Sequence, residues 1–186
     1  GSGAGDAITT GSGNIAIGMS AGTNCSTGGE NVTIGRWAGS GISTDSSFNV
    51  YIGSFAGYLV GNNGTSNYNT AVGYEAMGSS AGGSNNTCVG LRAGRSIDIN
   101  GNDNTSLGVN AGYYVTTGDQ NVCLGAGAGN GGGVNSHTAL TTGEANVLLG
   151  PECDTSAADS SNQIVMGDEV AGNADDSLCF GHSTTD

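Results

Sequence analysis

The sequence predicts an all-β fold, a parallel β-solenoid or β-roll of about ten coils. Two observations carry this: a nine-residue phrase that returns along nearly the whole chain, and a composition too poor in bulky side chains for a globule. The phrase reads Asn, apolar, any, apolar, Gly, any, any, Ala, Gly. Its copies begin at Asn14, Asn31, Asn49, Asn69, Asn86, Asn104 and Asn121, with weaker copies from Asn146, Gln163 and Ser177. Counting from the Asn as place one, the place-five glycines are Gly18, Gly35, Gly53, Gly73, Gly90, Gly108, Gly125, Gly150, Gly167 and Gly181, mostly 17 or 18 residues apart. A second glycine stands three residues before the Asn, as at Gly11, Gly28, Gly83, Gly101, Gly118 and Gly143. Each unit therefore reads as strand, glycine turn, short Ala-Gly segment, polar loop and glycine turn.

Aromatic content of 5% and 37 glycines cannot furnish a thick core in a chain of 186 residues. A disordered chain shares that composition but gives no reason for aliphatic residues to return at fixed phase. Stacked coils do, because each coil lays its few aliphatics on those above and below. The chain is one repeat domain, 1–186, with coils over about 7–182 and insertions near 58–68 and 130–142. Ten coils at ~4.8 Å each give a rod of roughly 45 to 50 Å.

Places two and four alternate about a single residue, so they share one strand face. Place four holds Ile17, Ile34, Ile52, Val72, Val89, Leu107, Leu124 and Leu149, which are expected to form the repeat core inside the coil with Ala21, Ala38, Ala56, Ala76, Ala93, Ala111 and Ala128. Place three then points outward. It carries no charge, so that face is expected to be covered by a second copy of the chain. Gly at place five answers a need for positive φ or for close approach of a neighbouring backbone. Asn at place one serves either a left-handed turn or an amide ladder along the stack.

The net charge is −13, and Arg36, Arg92 and Arg95 are the only Lys or Arg residues, which speaks against nucleic acid and anionic membrane as partners. No apolar run approaches the roughly 20 residues of a membrane-spanning helix. The five cysteines form no CxxC motif. Cys88, Cys123 and Cys179 occupy place three and Cys153 replaces the recurrent Ala, so they read as small buried apolar groups rather than disulfides or metal ligands. His137 and His182 are the only histidines and belong to no nucleophile motif, so no enzyme, catalytic residue, cofactor or metal site is expected. Asp98, Asn100, Asn102 and Asp103 are faintly like a calcium loop but lack its terminal bidentate Glu and read as a polar connection.

Trp37 and Phe55 both stand two residues after the glycine in adjacent coils and are expected to stack. With Tyr58 and Tyr68 they are the candidate ligand or interface aromatics, suited to a sugar or to subunit packing. Glu75 and Arg92 share that same place in successive coils and are expected to pair.

The phrases NTAVGYEAM at Asn69, TGDQNVCLG at Thr117 and TGEANVLLG at Thr142 resemble the 17-residue repeats of bacteriophage tail fibres and other phage appendages. The segment from Ser161 resembles the ending of such fibres. At a shorter period the logic is similar to the β-roll heads of trimeric autotransporter adhesins. Both resemblances imply a parallel homotrimer. The expected function is a structural, non-enzymatic fibre segment in a virion, a stiff extracellular spacer with a host-surface glycan or receptor as candidate partner. The alternative is a bacterial surface adhesin or self-assembling extracellular filament.

Overall fold

The computed structural model describes residues 1–59, 64–79, 83–97, 101–131 and 138–182. Ten strands form one sheet in sequence order, each paired in parallel with the next. They are β1 (Ile15–Ile17), β2 (Val32–Ile34), β3 (Val50–Ile52), β4 (Thr70–Val72), β5 (Thr87–Val89), β6 (Thr105–Leu107), β7 (Val122–Leu124), β8 (Val147–Leu149), β9 (Ile164–Asp168) and β10 (Leu178–His182). The result is a parallel β-solenoid of about nine turns. The place-four residues align in one column, with Ile17 opposite Ile34 and Ile34 opposite Ile52. We number the coils by their strands.

The direction of the strand faces is the reverse of the expectation from sequence. Place three points into the coil: Tyr51, Ala71, Cys88, Cys123, Leu148 and Val165 are buried. The predicted repeat core at place four lies outside. Ile17, Ile52 and Leu107 are exposed, and Ile34, Val72, Val89, Leu124 and Leu149 are only partly covered. The physical reason is girth. A roll this narrow has room for one small or flat side chain per strand, and place three supplies Ala, Ser, Thr and Cys in most coils. Because side-chain direction alternates with a period of two, misjudging one place inverts the whole face.

The interior is completed from the opposite wall. Ala21, Ala38, Ala56, Ala76, Ala93, Ala111 and Ala128 at place eight are buried, as expected, and so are Cys25, Ile42, Ile97, Val115 and Leu140 from the polar loops. Volumes are matched coil by coil. In coil three the Tyr51 ring fills the core, and a Cβ at Gly57 would come within 2.6 Å of it. In coil four the interior residue is Ala71, and the glycine is replaced by Met77, which is fully buried even though its φ is 49°.

Glycine at place five serves both needs at once. At Gly90, φ is 138° and an added Cβ would stand 2.4 Å from the carbonyl oxygen of Gly108 in the next coil. Asn at place one is an amide ladder, not the left-handed residue. Asn86 Oδ1 accepts from the Asn104 backbone N–H at 2.9 Å, its own N–H donates to Asn69 Oδ1 at 2.9 Å, and Asn86 Nδ2 donates to the Gly101 carbonyl at 2.9 Å. The same N–H to Oδ1 contact runs from Asn14 to Gln163. Each amide ties the strand of the next coil to the loop that precedes it, satisfying buried backbone groups. The left-handed residue is the one before the Asn, as at Phe48 and Tyr68, and a second lies at place seven, as at Trp37, Phe55 and Arg92.

Candidate functional site

Left-handed backbone at place seven turns that side chain outward at the end of the strand, and place ten lies beside it. These two columns form one corner of the solenoid. Place seven carries Trp37, Phe55, Glu75, Arg92, Asn110 and Gly127 through coils two to seven; place ten carries Ser40, Tyr58, Gly78, Arg95, Tyr113 and Asn130. A non-glycine residue in this conformation costs roughly 1 kcal/mol or more. Ring contacts and ion pairs along the corner offset part of that cost.

Trp37 and Phe55 do not stack directly. Tyr58 stands between them and meets each ring edge-on, at 5.9 Å from Trp37 and 5.2 Å from Phe55. The left-handed turn tilts both rings away from the stack axis, so each finds the place-ten ring as partner. Tyr74 adds a further edge contact to Phe55 at 6.1 Å, and the Arg36 guanidinium lies 5.3 Å from the Phe55 centroid. Tyr68 does not belong to this group. It lies before the Asn, at the other end of the strand, stacked on Phe48 at 5.0 Å with the planes 2° apart.

Glu75 and Arg92 pair as expected, at 2.9 Å through Nε, and Arg95 Nε joins the same carboxylate oxygen at 3.0 Å. Arg95 Nη1 also donates to the Tyr113 hydroxyl at 3.1 Å, with its guanidinium 5.5 Å from that ring. Desolvation, the largest influence, pushes the Glu75 carboxyl up, yet contacts from Tyr74, Arg92 and Arg95 together hold it below the ordinary carboxylate value. Arg92 and Arg95 thus sit on this corner of an otherwise acidic chain, and Arg36, at place six, borders it over the Phe55 ring. Sequence reasoning found Glu75 and Arg92 by their shared place; it missed Arg95 and Tyr113, with Tyr114 next to it, because place ten lies beyond the nine-residue phrase.

The second surface feature is the outward strand face. Places two, four and six present Ile15, Ile17, Met19, Ile52, Leu91, Leu107, Val109, Ile164, Leu178 and Phe180 as exposed apolar side chains from one end of the sheet to the other. The face is about 43 Å long over nine rung spacings and roughly 17 Å wide, on the order of 700 Å². Inside, all five cysteines are free and buried. Burial pushes the Cys88 and Cys153 thiols up to about 12 and the Tyr51 phenol well above its usual range.

Among the described residues no three His, Cys, Asp or Glu side chains gather as a metal ion would require. Asp98, Asn100 and His137 lie outside the described residues; Asn102 serves the stack, its backbone N–H donating to Asp119 Oδ1 at 2.6 Å. His182 Nε2 lies 3.2 Å from Asp168 Oδ2 across β9 and β10, and both side chains are exposed. No helix among the described residues is long and apolar enough to cross a membrane. No protein-family model, curated protein or solved structure matches the chain.

Proposed function

We propose that this chain is a structural, non-enzymatic segment of a phage tail fibre or similar virion appendage, built as a homotrimer around an axis parallel to the coil stack. The single observation that carries the reading is the outward apolar strand face. The outline of this face, on the order of 700 Å², comes close to the roughly 800 Å² per partner of a standard interface, and apolar side chains hold most of its places two and four. It runs the full length of the sheet with its acidic and basic groups, Arg36, Asp168 and His182, confined to place six at its edge, so a copy of the chain lying alongside in register matches it rung for rung. A parallel assembly covers every rung with its own equivalent, which a globular partner cannot do over a rod of this shape.

The sequence assigns the covered face to place three; the assembly belongs instead to places two and four, with place six at its open rim. Rigidity comes from the continuous amide ladder and from inter-coil backbone bonds, exemplified by Val32 N–H to the Asn49 carbonyl at 2.8 Å. Recognition of a host-surface glycan is assigned to the aromatic and arginine corner, which stands beside the packed face and stays open. The test is assembly by variants. Leu107→Asp, on the outer face, releases folded single chains if the reading holds; Leu107→Asp chains that remain associated would contradict it.

A further inference from the structure

The corner changes character beyond the arginine cluster. Place seven is Asn110 in coil six, Gly127 in coil seven and Glu152 in coil eight, so one rung of the column has no side chain. The gap opens a hollow of about 220 Å³ lined by Val109, Asn110, Ala126, Gly127, Asn130 and Glu152. A second hollow of about 180 Å³, lined by Arg92, Asn110, Tyr113, Tyr114 and Asn130, shares Asn110 and Asn130 with it. Sharing those two residues, the hollows lie side by side along the rod as one shallow cleft of about 400 Å³ (220 and 180 Å³ together), within the range that takes a small ligand.

Its groups are held in place before any ligand arrives. Arg92 and Arg95 both use Nε on Glu75, and Arg95 Nη1 fixes the Tyr113 hydroxyl. Arg92 is 44% exposed, spends only Nε on that contact and lines the second hollow, so its Nη groups remain for a ligand. Tyr113 and Tyr114 meet at 4.6 Å as an angled pair of rings. A cation at one end, two amides and two aromatic rings between, and a carboxylate at the other end suit a ligand that is anionic at one point and hydroxyl-rich elsewhere. The span from Arg92 to Glu152 is three rungs, about 14 Å, or two sugar rings in line.

We propose that this cleft binds a uronic-acid disaccharide within an extracellular polysaccharide, the carboxylate on Arg92, one ring against Tyr113 and Tyr114, and the hydroxyls of the next ring in the Gly127 gap on Asn110, Asn130 and Glu152. The proposal rests on the reading of the chain as a surface-exposed fibre segment and names the ligand class of its corner.

The test is calorimetric titration of the assembled protein with four-residue oligomers of galacturonate, glucuronate and mannuronate, alongside their methyl esters. At least one acid form binds and its ester, which lacks the charge and carries one added methyl group, does not. Arg92→Gln and Gly127→Asn each weaken binding by about tenfold or more, as expected for loss of a charge-assisted contact or of the space for a ring. Asn tolerates the left-handed φ of 71° at Gly127, and Arg92 is exposed, so neither change depends on refilling the core. Glu144→Gln, in the exposed loop before β8 and outside the cleft, leaves binding within about twofold. Absence of binding by all three acids, equal binding of the esters, or titrations unchanged by Arg92→Gln and Gly127→Asn would overturn the proposal. Light scattering on the same samples separates the two readings. An intact trimer without binding removes only the sugar site, whereas a single chain that still binds removes only the assembly.

Discussion

Asn86 shows what a single residue must do in this architecture. Its side chain accepts from two groups of Asn104 and donates to the Gly101 carbonyl while fully buried. Replacement by Ala leaves those partners unsatisfied, at about 1–3 kcal/mol each, so Asn86→Ala is expected to lower the unfolding free energy in urea by about 2–4 kcal/mol. Tyr51 provides the contrast. Its ring fills coil three, but its hydroxyl is buried without a hydrogen bond of ordinary geometry. Tyr51→Phe should therefore leave stability within about 1 kcal/mol of the parent or raise it, whereas Tyr51→Ala should cost about 3–5 kcal/mol. The buried thiols add a pH dependence. Below the ordinary thiol value folded and unfolded chains both hold the proton, and stability is at its full value. As pH rises above about 8.5, the unfolded thiols ionise while Cys88 and Cys153 stay neutral up to about 12, so stability falls by about 1.4 kcal/mol per pH unit for each thiol. Denaturant midpoints measured from pH 7 to pH 10 check the direction, and a midpoint that rises over that interval contradicts it.

At the scale of the element, the strand-ending glycine is what lets successive coils close on one another. Gly90→Ala would put a methyl group 2.4 Å from the Gly108 carbonyl oxygen at a φ of 138°, whereas a Cβ at Gly64 meets nothing within 4 Å. Thermal melts are expected to show Gly90→Ala losing several kcal/mol, roughly 2–4, while Gly64→Ala stays within about 0.5 kcal/mol of the parent. Most of this element was readable from sequence. All ten strands lie where the phrase put them, the columns are in register, and the glycine duties follow from their spacing, whereas spacing leaves the asparagines between a left-handed turn and the amide ladder they form. The facing of the strand was not readable. Ile17 and Ile52 are bulky aliphatic residues that recur at fixed phase, and hydrophobicity alone assigns them inside. Whether the roll is wide enough to accept them depends on the opposite wall, which comes from loop residues such as Ile42 and Val115 that sit outside the phrase. The corner was half legible for a related reason. Glu75 and Arg92 share a place within the phrase, but the Arg95, Tyr113 and Asn130 column falls just beyond it, and the left-handed turn that brings place seven beside place ten has no signature in residue type.

For the whole molecule the two faces of one strand have separate tasks. The inner face, with the Ala and loop residues opposite, stabilises a single coil stack; the outer face is largely apolar and, among the described residues, uncovered by the same chain. This division predicts different failures for substitutions one residue apart. Tyr51→Asp places a charge in the core and should abolish folding as judged by circular dichroism, whereas Ile52→Asp on the adjacent outer position should keep the fold and lose the assembly. The most direct test of the account is the molar mass of the unmodified protein in solution by light scattering at neutral pH. The account predicts about three times 18.0 kDa, independent of dilution over the micromolar range. A mass of 18.0 kDa for a folded chain would contradict it, because the outer strand face would then be stable in water uncovered.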